Sequence, residues 1–322
     1  MTFIANTGTR NDGRKGHFGI AAQTEPGLYV PPTNYLRETG GTGYMPDELE
    51  RMSQAFRGTS FESPAEYAGT DYMNRSVPTE ATVNDVALAL KLMYGQPDVS
   101  SIITPQDATQ WSPNFPLQPF SGQWRVPGAG HVQFRDAQLY ELTLTVPEAR
   151  TEFVGAVMNF HAAWALHHPE GAPIAPFTPA VPVIPGYSGG LGRNDHTFTF
   201  DGVAYCPDGT SVARFYNPVD GLPACGETIP GFGPGTDPIG VEFQFGFNRP
   251  LPNLLAASKS KAFIPVVWKL ERAGKVIEVT ASVQVSAREV PVAAGRVRTT
   301  ATVRARAQTP GVSPFSIKVL TT

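Results

Sequence analysis

The 322-residue sequence predicts a mainly β protein: two antiparallel β-sandwich or barrel domains, the first flanked by one α-helix. Three observations carry that expectation. Gly and Pro supply 32 and 31 residues, a load that long helices do not tolerate. Runs that alternate apolar and polar side chains recur along the chain, most densely beyond residue 193. Only one stretch, 82–94, carries a clear helical period instead. With 19 Phe, 10 Tyr and 4 Trp, and a net charge of only −3, the chain has the material for a core and lacks the signature of disorder.

Residues 1–16 are polar and Gly-rich and read as an N-terminal arm. The first β domain is expected over 17–171. It opens with HFGIAAQTEPGLYVPPTNYL, short apolar pieces broken by Gly and Pro as strands and turns are. Residues 40–80 hold no long periodic run. In 82–94, Val83, Val86, Ala87, Leu90 and Met93 share one face, so the helix is expected to cover a sheet. Thr82 is placed to cap it, Asp85 lies in the first turn where the dipole favours an anion, and Gly95 is placed to stop it.

Residues 139–146 alternate, with Tyr140, Leu142, Leu144 and Val146 expected on one face and Leu139, Glu141, Thr143 and Thr145 on the other. PEAR at 147–150 is a turn, and 151–160 returns as the second strand of a hairpin. Residues 172–192 carry Pro173, Pro176, Pro179, Pro182 and Pro185 and then a glycine cluster. Proline cannot donate to a sheet ladder, so this is a stiff linker and the domain boundary. The second β domain, 193–322, is nearly all alternating strand: 196–200, 241–247, 263–270, 275–288 and 296–307. In the last of these, Arg296, Arg298, Arg304 and Arg306 share a face with threonines, so that face is solvated or meets something acidic, such as another subunit.

The sequence offers little chemistry. Gly186, Ser188 and Gly190 fit a G-x-S-x-G elbow, but a Pro-rich stretch precedes the serine and glycines follow it, where a strand and a helix are required. Downstream of Ser188 the sole histidine is His196, immediately beside Asp195. The adjacent His167 and His168 point to opposite faces if extended, which suits a surface pair better than a metal site. Cys206 and Cys225 are too few for a disulfide scaffold and wrongly spaced for zinc; they read as free thiols, with pairing left open. No phosphate loop, dinucleotide fingerprint or HExxH motif occurs. No catalytic, cofactor or metal residue is therefore nominated, and the chain is expected not to be an enzyme. No run approaches the ~18–20 apolar residues of a membrane span, and MTFIANTGTR lacks an apolar export core. From residue 187 onward there are 14 Lys/Arg against 10 Asp/Glu; before it, 11 against 18. An acidic half and a basic half favour association between copies over nucleic-acid binding.

The segment GHFGIAAQTEPG at 16–27 resembles the start of siphophage-type major tail proteins, the phage tail tube proteins, where such a segment leads through a Glu-rich stretch to Arg-Gly. Here that stretch holds Asp47, Glu48 and Glu50 and ends at Arg57 and Gly58. The helix ending LKLMYG at 90–95, the hairpin at 139–160, and VEFQFGFNRP at 241–250 with 276–285 and 296–307 are similar to later parts of that family. The resemblance implies tail-tube-like β domains whose copies share sheet edges in trimeric or hexameric rings. The rings stack in the virion tail, assembled in the host cytoplasm, as a hollow tube for genome delivery. It further implies tape measure, tail terminator and tail-tip proteins as partners, no cofactor, no membrane, and double-stranded DNA that passes without specific binding. Glu141, Glu152 and Glu278 are the candidate lumen acids, and Arg296, Arg298, Arg304 and Arg306 the candidate subunit-interface face. The alternative is another β-rich virion component, a head decoration or a glycan-binding tail-tip protein, with Tyr205, Phe215 and Tyr216 as its aromatic loop.

Overall fold

The computed structural model describes residues 17–25, 27–39, 50–51, 66–67, 73–105, 118–126, 130–168, 190–205, 207, 209–222, 231–234, 238–247, 252–289 and 299–321. The arm at 1–16, the prolines of 172–189, Ser188, Cys206, Cys225, Arg57, Gly58, Arg296 and Arg298 lie outside them. The fold is mainly β, with one large antiparallel sheet and two α-helices among the described residues.

In chain order the first half contains β1 (His17–Ala22), β2 (Asn34–Leu36), β3 (Glu50–Arg51), β4 (Glu66–Tyr67), β5 (Met73–Glu80), α1 (Val83–Tyr94), β6 (Ile102–Ile103), β7 (Phe120–Val126), β8 (Gly130–Val146) and β9 (Gly155–His168). The second half contains β10 (His196–Phe200), β11 (Val203–Tyr205), β12 (Ser211–Tyr216), β13 (Val219–Leu222), β14 (Gly231–Pro234), β15 (Gly240–Phe247), α2 (Pro252–Ser260), β16 (Ile264–Arg272), β17 (Lys275–Glu289), β18 (Thr299–Ala305) and β19 (Phe315–Leu320).

The hairpin of β8 and β9 is the spine. At roughly 3.3 Å per residue, β8 is about 55 Å long. It pairs with β9 along its length, with β7 through its first half and with β12 through its last six residues. The hairpin is longer than the sequence pattern indicates: β9 continues to His167 and His168, which pair in register with Val132 and His131. Its start is later, at Gly155, because residues 147–152 are consumed by the turn and Phe153 makes only an isolated bridge to Gly192.

The strands β5, β9, β8, β7, β1 and β2 follow one another, and the chain leaving β2 returns to β5. Thr39 N donates to Pro78 O at 3.0 Å and Glu80 N to Arg37 O at 2.9 Å, which closes a six-stranded barrel. Its interior is a stack of rings: Phe134 lies 5.1 Å from Phe160 and 5.9 Å from Phe18, and Phe120 lies 5.4 Å from Phe160. Gly122, opposite Phe134 in register, has no Cβ, and that is what leaves room for the Phe134 ring. Outside the barrel, the loop after β1 covers buried Ser121 and Gln123: Val30 N donates to Ser121 Oγ at 3.0 Å, and Gln23 Nε2 to Asp136 Oδ1 at 3.0 Å.

In the second half the sheet runs β11, β10, β16, β17, β18, β15, β12. Phe198 of β10 meets Phe245 of β15 at 4.4 Å although three strands lie between them, so the sheet folds over on itself. Trp268, Phe215 and Phe243 complete this second aromatic cluster. Each half thus has its own aromatic centre. Yet β8 pairs with β12, and the buried residues form one contiguous core.

The helix α1 is capped as the sequence predicts: Asp85 N donates to Thr82 Oγ1 at 3.1 Å, and Gly95 takes a φ of 96° that disfavours any side chain. It differs in burial. Ala89 and Leu92 are buried along with the predicted face, because α1 lies where the two halves meet and not on a single sheet. The Tyr94 hydroxyl donates to the carbonyls of Tyr216 and Gly240 at 3.2 and 3.1 Å, and Asn217 Nδ2 donates to Met93 O at 2.6 Å. The second helix, α2, corrects the all-strand expectation for the second half. Leu254 and Ala257, both buried, share one face, and Pro252 stands at its first position, where the missing N–H is harmless. The linker's end is not free: Leu191 is buried, its N–H donates to Ala81 O at 2.9 Å, and its carbonyl accepts from Val154 N at 2.8 Å. No helix among the described residues is long and apolar enough to cross a membrane.

Candidate functional site

Four strands, β8, β12, β15 and β18, present a polar face on the side of the sheet away from the aromatic core. In β12, Ala213 and Phe215 are buried, which turns Arg214 and Tyr216 outward. Alternation does the same for Glu242 in β15 and Arg304 in β18. The antiparallel register sets Arg214 opposite Glu242, and Glu242 opposite Arg304. Glu141 lies opposite Tyr216 and reaches Arg214 diagonally. The result is a row that alternates in sign: Glu141, Arg214, Glu242, Arg304.

Arg304 donates from Nε and Nη2 to Glu242 Oε2 at 2.9 and 2.6 Å. Arg214 donates from Nη2 to Glu141 Oε2, whose other oxygen accepts from Asn159 Nδ2 at 3.1 Å. These carboxylate bonds hold both guanidinium protons more tightly than usual. The two arginine side chains remain 49% and 43% exposed, so each pair is solvent-screened and contributes less than about 1 kcal/mol of stability.

Tyr140 enters this face through a backbone irregularity. The pairing of β8 with β9 shifts between Leu139 and Glu141, so Tyr140 is an extra residue, a β-bulge. The bulge inverts the phase that the alternation predicts: Leu139 is buried in the core and Tyr140 faces out. The Tyr140 ring stacks on His161 at 4.5 Å, and its carbonyl accepts from Asn217 N at 2.9 Å. Tyr216 lies opposite Gly240, where a Cβ would come within 2.5 Å of its hydroxyl oxygen. The bare backbone at Gly240 is the seat for that ring. Burial pushes both phenols above the ordinary tyrosine pKa, with Glu141 adding to the shift at Tyr140. Both remain protonated at neutral pH. Tyr140, Tyr216, Glu141, Arg214, Arg304 and the rim prolines Pro218 and Pro238 enclose a half-open depression of about 390 Å³.

Of the residues singled out by sequence, Arg304 and Glu141 meet here from opposite halves of the chain. Arg306 is exposed at the end of the same face, its backbone N–H donating to Ser282 O at 3.1 Å. Glu278 stands elsewhere, on β17 between Lys269 and Lys318 in register, six residues and roughly 20 Å along the strand from Gln284, the neighbour of Arg304. Glu152 is not on a strand face at all. It sits exposed in the turn between β8 and β9, its N–H pointing back to Ala149 O. The predicted aromatic loop divides: Phe215 is core, Tyr205 packs on the core from the sheet edge, and only Tyr216 reaches the depression. The acidic partner that an arginine face requires is Glu242 of the same sheet. Sequence reasoning passed over Arg214 and Glu242, although SVARFY and GVEFQFGF mark both as outward residues of alternating strands.

Asp195, the neighbour of His196, does not serve as its acid; it accepts from Arg272 Nη1 at 3.0 Å and from Gly192 N at 2.8 Å. His196 is half-buried beside Trp268, with its Nε2 buried and lacking any hydrogen-bond partner among the described residues. Arg193 binds four backbone carbonyls, those of Pro147, Glu148, Pro207 and Gly209, tying the spine's turn to the second half. Among the described residues, no group of three or more His, Cys, Asp or Glu could hold a metal ion. No family model matches the chain, and no curated protein matches it.

Proposed function

We propose that the chain is a structural virion protein that self-assembles into stacked rings, forming the hollow tail tube through which a phage genome is delivered. The observation that supports it is the border of the sheet. β9 pairs with β5 only as far as Ala162, while 163–168 continue along β8 with no strand on the other side among the described residues. β11 ends the sheet at its opposite limit, three residues long with Val203 half exposed. An open strand border recruits another strand unless something shields it, and pairing between copies in a closed ring is a symmetric solution. The closed barrel in the first half removes β2 and β5 from the choice of pairing borders, whereas the 163–168 stretch of β9 and the strand β11 are open limits of the large sheet among the described residues. The resemblance of 16–27, of the helix end at 90–95 and of the hairpin at 139–160 to tail tube proteins, and the opposite charge balance of the halves, point the same way.

Electron microscopy of the purified protein across a concentration series tests the proposal. Rings or tubes with three-fold or six-fold symmetry are expected, and a chain that stays monomeric at millimolar concentration overturns it.

A further inference from the structure

We infer that the depression between Tyr140 and Tyr216 is a binding site for an uncharged, polyhydroxylated ligand, that is, a saccharide. This goes beyond the tube reading and does not rest on it.

The charge pattern weighs against the obvious ligands first. Two arginines would normally attract phosphate or carboxylate, but here Arg214 is bonded to Glu141 and Arg304 to Glu242. Within the depression two carboxylates pair with two guanidiniums, and Arg306 at the end of the face leaves one positive charge in excess, too little for a built anion site. What remains is hydrogen-bonding capacity held in fixed geometry. Arg304 binds Glu242 through one oxygen, which leaves Glu242 Oε1 and Arg304 Nη1 without a protein partner among the described residues. Arg214 uses one nitrogen of its fork on Glu141. Neither phenol of the depression has a hydrogen-bond partner among the described residues, and each is protonated at neutral pH, so each both donates and accepts.

The apolar half of the site is equally suited. A sugar ring carries hydroxyls at its rim and a C–H face, and the C–H face packs on an aromatic ring. Tyr140 is braced from behind by His161, and Tyr216 by the bare backbone at Gly240, so neither ring needs to be ordered on binding. Pro218 and Pro238 add rigid apolar walls. A volume of about 390 Å³ lies at the small end of the range for ligand sites and accommodates one or two sugar units.

The test probes a glycan array with the full chain, then titrates the brightest glycan against wild type and variants. Tyr216→Ala and Tyr140→Ala are expected to weaken binding about tenfold each. Gly240→Ala, which places a methyl group where the Tyr216 ring lies, is expected to weaken it comparably while keeping every strand. Thr280→Ala, on the polar face of β17 away from the depression, should leave it unchanged. Should the tyrosine variants fail to fold, Gly240→Ala and Arg304→Gln carry the test. An array with no bound glycan overturns the inference. So does glycan binding that these variants leave intact, or displacement of the glycan by millimolar inorganic phosphate, which would mark an anion site.

Discussion

His196 makes the stability of this protein acid-sensitive in a defined window. Its ring lies 5.6 Å from Trp268, and Nε2 is buried with no partner among the described residues. Burial, and secondarily the nearby positive charge of Arg193, lower its pKa from 6.5 to about 4. The folded protein therefore resists a proton that the unfolded chain accepts. Well above pH 6.5 the imidazole is neutral in both states and this residue costs the fold nothing. Below pH 6.5 the unfolded chain binds the proton first, and stability falls by about 1.4 kcal/mol per pH unit until the folded state also protonates near pH 4. The full loss is about 3 kcal/mol, a large share of a typical 5–15 kcal/mol. Urea denaturation at intervals from pH 7.5 to 4.5, on wild type and on His196→Phe, isolates the effect, because phenylalanine keeps a ring against Trp268 and cannot titrate. Wild type is expected to lose about 2–3 kcal/mol more than the variant across that range. Parallel curves for the two proteins would show that the imidazole is solvated or bonded in the folded state, and the reasoning would fail.

Three further substitutions probe other parts of the fold. Phe134→Ala removes the ring that touches Phe18, Phe120 and Phe160, and is expected to destabilise by about 3–5 kcal/mol in chemical denaturation. Thr82→Ala removes the N-cap of α1 and is expected to cost about 1 kcal/mol by the same measurement. Glu242→Gln breaks only a half-exposed ion pair and is expected to change stability by less than about 1 kcal/mol, with the thermal midpoint moving by a few degrees at most.

The sequence was most legible where one physical rule acts alone. Period-two alternation located β10, β15, β16 and β17, and the helical period with Thr82, Asp85 and Gly95 fixed α1 within a residue. Alternation failed at Tyr140, where a bulge adds a residue and reverses the phase; nothing in LYELTL announces it, since the bulge is set by how β8 meets both β9 and β12. The helix α2 was missed because nine residues carry too short a period to stand out. The candidate site was half visible. Arg304 and Glu141 were marked as unusual on polar faces, but their meeting depends on β12 and β15 being inserted between β8 and β18, a long-range pairing order that no local pattern encodes.

The shared spine has a consequence for how this chain can be divided. Since β8 supplies hydrogen bonds to β7 at one end and to β12 at the other, parting the two halves opens a strand border on the last six residues of β8 and another on β12. A chain severed between residues 168 and 190 should yield two pieces that each expose one such border, aggregate through it when apart, and re-associate when mixed, as complementing fragments do. The hydrogen bonds between β8 and β12 thus join the two halves across the whole last third of the longest strand.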